Sequence, residues 1–174
     1  MLINIKKYNL YNLYNLYKIK MIKLKSSDGQ IFEVEENCLN RAKLFHELKD
    51  ILNEDQEIMV KEVEGKILNK VIEYLKHYVN EEPKEILKPL PSPDLKSIVS
   101  EWDYNYISAL SMEDVVNLVN AANYLDIKDL VNLASAKLAS IMISCPIEEA
   151  REKFGIKGEM AEEELVEYDK YPLD

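Results

Sequence analysis

Side chains that could take part in catalysis are few and far apart in this sequence. The two histidines, His46 and His77, fall in separate predicted helices, and neither has the Cys, Ser or Asp arrangement that would make it a general base. Cys38 and Cys145 do not combine with them at the ligand spacing of a zinc site. Only four glycines are present, which leaves scarcely any room for a Gly-rich phosphate loop. We therefore expect a binding protein that is not an enzyme and uses no metal or other cofactor.

Length and composition narrow the class of protein further. The 174 residues, 47% hydrophobic and 31% charged, suit one globular domain, or one domain with an appended helical module. The net charge of -10 argues against nucleic acid as a partner, because phosphate binding needs clustered Lys and Arg. Two cysteines over this length make no disulfide framework, which favours a reducing compartment. No apolar run approaches the length of a membrane span, so we expect no membrane association.

Two amphipathic runs between Met112 and Met142 predict a helix hairpin that would present any docking surface. Their apolar residues recur at three- and four-residue steps, as one face of a helix requires. These residues are Val115, Val116, Val119, Ala122 and Leu125 in the first run, and Leu130, Leu133, Ala134, Leu138, Ile141 and Met142 in the second. The runs meet at a short polar corner, Asn123–Asp126. One face of the hairpin is expected to build a core and the other to be free for a partner.

The sequence before this hairpin predicts a small mixed α/β unit. Residues 22–35 alternate between apolar and polar types on both sides of Asp28-Gly29, which is a strong signal for a β-hairpin. Residues 37–53 predict one or two short helices, and residues 58–63 predict a third strand. A helix is then expected from Gly65 to about Asn80, with Ile67, Val71, Leu75 and Tyr78 on one stripe.

Two segments stand apart from these elements. Residues 1–20 carry three YNL triplets and no acidic residue, and we interpret them as a disordered extension, or as sequence upstream of a start at Met21. A targeting role fits less well, because the tract has neither Arg nor Ser. Residues 81–101 contain four prolines and predict a linker, because proline cannot continue a helix. Its PLPSP string is an alternative site for SH3-like partners.

Four strings resemble one known family. They are AANYLDIKDL at the corner, IKLKSSDGQIFEV in the predicted β-hairpin, the pair Trp102-Asp103 after the linker, and CPIEEAREKFGIK over residues 145–157. All four are similar to the S-phase kinase-associated protein one family, the adaptors that join F-box proteins to a cullin in SCF ubiquitin ligases. Elongin C opens with a similar hairpin but lacks the last segment, so an elongin-C-like adaptor is the first alternative. A structural scaffold of the same fold, outside ubiquitin ligation, is the second.

The resemblance implies a BTB/POZ-like fold of the α/β (α+β) class, a three-stranded sheet with surrounding helices and additional C-terminal helices that bind the F-box. The divisions expected are a tail at 1–20, an N-terminal α/β part at 21–80, a linker at 81–101, the remaining BTB/POZ-like helices at 102–126 and an F-box-binding helical region at 127–174.

Partners and site residues follow from the same resemblance. A cullin is expected at Asn123 and Tyr124, taken as an exposed corner, with a RING subunit reached indirectly through the cullin. The residues expected to bind F-box proteins are Val131, Ser135, Leu138, Met142, Phe154 and Ile156. The free chain is expected to form a homodimer through its uncovered groove, and the complex to reside in the cytoplasm and nucleus.

The chain also departs from the family pattern at several positions. Arg41–His46 stands where the family carries a serine-containing segment, Ser135 replaces a cysteine, and Ala150 replaces an isoleucine. Pro146 is displaced by one residue, which leaves open whether it is hydroxylated and glycosylated as in some lineages. The family's terminal tryptophan-cysteine pair is missing.

Overall fold

A three-stranded sheet forms one side of the core in the computed structural model, which describes residues 20–49 and 57–156. Strand β1 (Met21–Ser26) pairs antiparallel with β2 (Ile31–Glu35) and parallel with β3 (Glu57–Val60), so the order is β2-β1-β3. Alternate side chains on one face are buried, namely Ile22, Leu24, Val34, Ile58 and Val60. The predicted β-hairpin and three-stranded sheet are confirmed.

Among the described residues, two short helices lie between β2 and β3, as the sequence predicts, and the other helices follow β3. A 3-10 helix (Glu36–Arg41) comes first, and the α-helices are α1 (Lys43–Lys49), α2 (Gly65–His77), α3 (Leu95–Ile98), α4 (Glu101–Ser108), α5 (Met112–Tyr124), α6 (Lys128–Ser144) and α7 (Ile147–Lys153). The third strand is shorter than predicted, because the chain turns at Lys61 and Glu62. Helix α2 ends at His77, three residues before the expected end.

The β1–β2 turn is fastened to the start of α2. Gly29 has φ +84°, a conformation that glycine adopts without strain. The Asp28 carboxylate accepts hydrogen bonds from the Ser26 hydroxyl, the Gln30 side-chain amide at 2.7 Å and the Gly65 N–H at 2.8 Å. These hydrogen bonds lower the pKa of Asp28 to about 2, and the bond from Ser26 has the largest effect. One exposed carboxylate therefore links the sheet to α2.

Helix α2 carries the predicted apolar stripe into the core. Ile67, Val71, Leu75 and Tyr78 are all buried, which confirms this prediction. Trp102 packs against the same core, and its ring stacks on His77 at 3.7 Å between centroids with an angle of 4°. The imidazole of His77 is therefore one layer of an aromatic stack between α2 and α4.

A buried carboxylate lies at the start of α4. Asp103 is only 4% exposed, and its Oδ2 accepts hydrogen bonds from the Tyr78 hydroxyl at 2.8 Å and the Ser100 hydroxyl at 2.7 Å. Its Oδ1 has no hydrogen-bond donor among the described residues. Burial is the main reason that the pKa of Tyr78 rises to about 12.

The segment predicted as a linker, 81–101, contains the short helix α3. Leu95 and Ile98 are buried, and the Asp94 carboxylate accepts a hydrogen bond from the Lys96 N–H at 3.1 Å. Upstream, the Lys88 ammonium donates to the Asn132 side-chain oxygen at 2.7 Å, so this stretch is attached to α6. The helix begins after the last proline of the segment, where the proline pattern no longer forbids it. Residues 1–19 of the predicted extension and residues 157–174 of the predicted C-terminal region lie outside the described residues.

Candidate protein-binding surfaces

The corner between α5 and α6 is held by a compact set of backbone hydrogen bonds. The Leu125 N–H donates to the Ala121 carbonyl at 2.9 Å, and the Ile127 N–H donates to the Ala122 carbonyl at 2.8 Å. Asp126 has φ +52°, a left-handed conformation that Asp tolerates better than most residues. Because Leu125 and Ile127 are buried on either side of Asp126, the corner has a fixed shape.

The two residues predicted to bind a cullin differ in their exposure at this corner. Asn123 is exposed, but Tyr124 is only half-exposed and packs against the hydrophobic core. The expectation that Tyr124 is exposed at this corner is therefore corrected to a ring that is only partly accessible. The reason is position: Tyr124 is the last residue of α5 and lies beside the buried Ala121 and Leu125 on the helix surface.

A segment that the sequence analysis did not connect with the site lies against this corner. The Leu44 N–H donates to the Leu125 carbonyl at 3.4 Å, and the Lys43 ammonium is 3.7 Å from the Asp126 carboxylate. Ala42 and Phe45 are buried and anchor the segment in the core. No sequence signal could have found this contact, because its partners are about 80 residues apart along the chain.

Four of the predicted F-box residues share one face of α6. Val131, Ser135, Leu138 and Met142 follow each other at steps of four, three and four residues, which places them on one stripe of a helix. Ser135 and Met142 are exposed, whereas Val131 and Leu138 are half-buried. The opposite side of α6 is buried through Leu130, Leu133, Ala134 and Ala136. We call the four stripe residues the α6 stripe.

Two residues of the apolar runs that predicted the hairpin are exposed, and one of them, Met142, is also among the residues expected to bind F-box proteins. Met142 is 54% exposed and Val116 is 38% exposed. Met142 follows Leu130 by twelve residues, so the two side chains lie about 120° apart around the helix axis. Val116 follows the buried Val115 directly and is rotated by about 100° from it. Both apolar runs were therefore wider than the faces that are buried.

Phe154 and Ile156 lie just after α7, which packs against α6. Ala150 is a buried residue of α7. Phe154 is half-buried, and Ile156 is exposed. Gly155 has φ +64°, and the Ile156 N–H donates back to the Arg151 carbonyl at 2.9 Å, so the chain turns sharply here. Ile143, beside Met142, is a further exposed apolar residue that the sequence analysis omitted. Ile143 is apolar but lies outside the periodic apolar run of α6, and this combination could have indicated an exposed apolar residue.

The corner and the exposed apolar end of the α6 stripe, Met142, lie at opposite ends of α6, although the stripe itself begins at Val131, about one turn from the corner. The corner precedes the first residue of α6, Lys128, and Met142 lies fourteen residues further along that helix. At 1.5 Å per residue this is a separation of about 21 Å. Two partners can therefore contact the chain without covering the same residues.

Three further features of the described residues concern metal binding, membrane spanning and the two cysteines. Within residues 20–49 and 57–156, no group of three His, Cys, Asp or Glu side chains could hold a metal ion. No helix of the described segments has the length and hydropathy to cross a membrane. Cys38 is buried, which raises the pKa of its thiol, and the Cys145 thiol donates to the Ile141 carbonyl at 3.0 Å.

Comparison with known proteins gives a consistent result. Residues 20–80 match a family model described as "Skp1 family, tetramerisation domain". The S-phase kinase-associated protein 1 homolog of Tetrahymena thermophila is 33% identical over 142 residues, which cover 82% of this chain and 86% of that protein. SKP1-like protein 18 of Arabidopsis thaliana is 32% identical over 84% of this chain and 90% of its own length. SKP1-like protein 11 of the same plant is 38% identical over 81% and 87%.

The family model spans the three-stranded sheet and α2, and the three relatives are aligned over more than four fifths of this chain. The chain belongs to the Skp1 family, the SCF adaptor family that its sequence motifs resemble.

Proposed function

We propose that this chain is a non-catalytic adaptor that binds a cullin and an F-box protein at the same time. Membership of the Skp1 family supports this role. The observation that carries the proposal is the separation of an exposed polar corner at Asn123 from the exposed apolar residues around Met142, at the other end of α6. The adaptor performs no chemistry. It would bring a substrate held by the F-box protein close to the RING subunit that the cullin carries, in the cytoplasm and nucleus.

The F-box side of the proposal rests on apolar side chains that lack cover. Met142, Ile143 and Ile156 are exposed together with the half-buried Leu138 and Phe154, near the junction of α6 and α7. A cluster of large exposed apolar residues is typical of a protein-binding site. An incoming amphipathic helix can lay its apolar face on such a surface, which is a common mode of peptide recognition. Ser135, which is smaller than Leu138 and Met142, is an exposed residue in the middle of the α6 stripe.

The cullin side of the proposal rests on the fixed shape of the corner. The exposed amide of Asn123 offers both a donor and an acceptor. The half-buried ring of Tyr124 is held by the core, so a partner would not have to immobilise it on binding. A rigid aromatic residue beside a polar group is a favourable centre for an interface.

The test compares two substitutions on the proposed surfaces with two matched controls. Asn123→Lys changes the exposed corner without disturbing Tyr124, and Asn105→Lys makes the same change at an exposed position of α4. Met142→Glu changes the α6 stripe, and Met59→Glu makes the same change at a methionine that is 52% exposed on the sheet. Each variant is titrated against a cullin N-terminal domain and against an F-box peptide.

We expect Asn123→Lys to weaken cullin binding about tenfold or more and to leave F-box binding unchanged. Met142→Glu should weaken F-box binding by a similar factor and leave cullin binding unchanged, because it places a charge where an apolar face must pack. Both controls should match the wild type. If each variant weakens both interactions equally, or if the wild type binds neither partner, the adaptor proposal is wrong.

Self-association of the free chain is a second proposal, and the same apolar stripe favours it. The family model that matches residues 20–80 is described as a tetramerisation domain, which supports self-association but not a contact at the α6 stripe. The stripe enters the proposal because an exposed apolar side chain such as Met142 can pair with that of a second copy. Sedimentation of the free chain over a range of concentrations tests this. Association that Met142→Glu removes would place the contact on the α6 stripe, whereas a monomer at all concentrations would exclude it.

A further inference from the structure

The Arg41 guanidinium joins three parts of the chain that are remote in sequence. Its side chain is 18% exposed and lies at the end of the 3-10 helix. Its Nε donates to the Tyr78 carbonyl at 2.8 Å, and its Nη2 donates to the Glu81 carbonyl at 2.7 Å. Its Nη2 also lies 2.9 Å from the Glu82 carboxylate, and its Nη1 lies 3.4 Å from the Asp129 carboxylate.

Each of these contacts has a clear physical effect. Tyr78 is the C-cap residue that follows the last residue of α2, so its carbonyl is among those that no helical N–H can satisfy. Glu81 and Glu82 begin the stretch that leaves α2, and Asp129 lies in the first turn of α6. A planar guanidinium can serve all of these acceptors at once because its donors point in fixed, divergent directions. Arg41 therefore holds the end of α2 and the start of α6 at one point.

The start of α6 is also one side of the corner. Asp129 comes three residues after Asp126, where the chain turns, and the Val131 N–H donates to the Ile127 carbonyl at 3.0 Å. The backbone next to Arg41 contacts the other side of the same turn, through the Leu44 N–H and the Leu125 carbonyl. The corner is thus held between Arg41 and Leu44 on the segment that departs from the family pattern.

We propose that Arg41 is a positioning residue for the cullin-binding corner. It contacts no partner itself, but it fixes the direction in which α6 leaves the corner and so fixes the surface that Asn123 and Tyr124 present. This role rests on the proposed function for its consequence in cullin binding. Its effect on the free chain does not depend on that function.

The variants are Arg41→Ala, Arg41→Lys and Asp129→Asn, with Lys66→Ala as the control. Lysine keeps the charge but cannot replace the divergent donors of the guanidinium. Asp129→Asn removes only the charge at α6 and leaves the contacts of Arg41 with Tyr78 and Glu81 in place, so it remains informative if Arg41→Ala fails to fold. Lys66 forms a cross-element ion pair with Asp114 at 2.7 Å that does not involve the corner.

Two measurements decide the matter. In the free chain, amide hydrogen exchange of Leu125, Ile127 and Val131 should become about tenfold faster in Arg41→Ala, and faster to a smaller extent in Asp129→Asn, than in the control. In the complexes, both variants should weaken cullin binding several-fold at unchanged F-box affinity. Arg41→Lys should not restore the wild-type behaviour.

Opposite outcomes are equally clear. Unchanged exchange at the corner overturns the positioning role, and so does an equal loss of both affinities, because that would report only a lower fraction of folded protein. A wild-type chain that binds no cullin would instead contradict the proposed function, while the exchange data would still show whether Arg41 holds the corner.

Discussion

At the scale of single residues, Asp28 shows how much structure one exposed side chain can organise. Its carboxylate closes the β1–β2 turn through Ser26 and Gln30 and reaches the first N–H of α2 at Gly65. The sequence predicted the turn from Asp28-Gly29, because that dipeptide has a known backbone preference. It could not predict the bond to Gly65, which joins residues 37 positions apart.

The lowered pKa of Asp28 leads to a prediction for stability against pH. Because the folded-state pKa is about 2 and the ordinary value is 3.8, the ionised carboxylate stabilises the fold fully above pH 3.8. This stabilisation is lost as the pH falls through about 2. We expect Asp28→Asn to lower the urea midpoint at about pH 7 and the gap to the wild type to narrow below pH 3.8. A gap that stays constant over this pH range would contradict the assignment.

At the scale of elements, α4 and α5 each begin after a capping serine, but the two serines make different numbers of hydrogen bonds. The Ser111 hydroxyl accepts a hydrogen bond from the Asp114 N–H at 3.1 Å and caps α5. The Ser100 hydroxyl caps α4 in the same way, at 3.0 Å from the Asp103 N–H, and it also donates to the buried Asp103 carboxylate. One oxygen of that carboxylate already has no donor among the described residues.

We therefore expect unequal losses of stability when the two caps are removed. Ser111→Ala should lower the free energy of unfolding by about 1 kcal/mol, the usual contribution of a helix N-cap. Ser100→Ala should lower it by about 2 kcal/mol or more, because the buried Asp103 side chain also loses a hydrogen bond. Urea unfolding of both variants measures the difference, and equal losses would mean that the Ser100–Asp103 bond contributes nothing.

Elements with a strong periodic pattern were predictable from the sequence. The stripe of α2 and the β1–β2 alternation are examples, since each is set by local burial on one face. Helix α3 was missed because four residues after a run of prolines are too short to show a period. Met142 belongs both to the apolar run of α6 and to the residues expected to bind F-box proteins, because an apolar residue at helical spacing gives the same signal whether its own protein or a partner covers it.

At the scale of the whole molecule, the candidate site combines residues that only the tertiary fold brings together. Resemblance to the family selected Asn123 and the α6 stripe, and local periodicity placed them on helices. The contact of Arg41 with Asp129 spans 88 positions, and no sequence pattern indicates it apart from the unusual segment in which Arg41 lies. The result is one rigid helix pair with a polar corner at one end and an apolar cluster toward the other.

Simultaneous binding of a cullin and an F-box protein is the most direct test of the adaptor proposal. The chain is mixed with a cullin N-terminal domain and an F-box protein, and the mass of the product is measured by light scattering after size-exclusion chromatography. We expect one complex that contains a single copy of each protein. We expect no association of cullin with F-box protein when the chain is omitted. Displacement of the cullin by the F-box protein would contradict the adaptor proposal, because the corner and the exposed apolar residues around Met142, about 21 Å apart, should not compete.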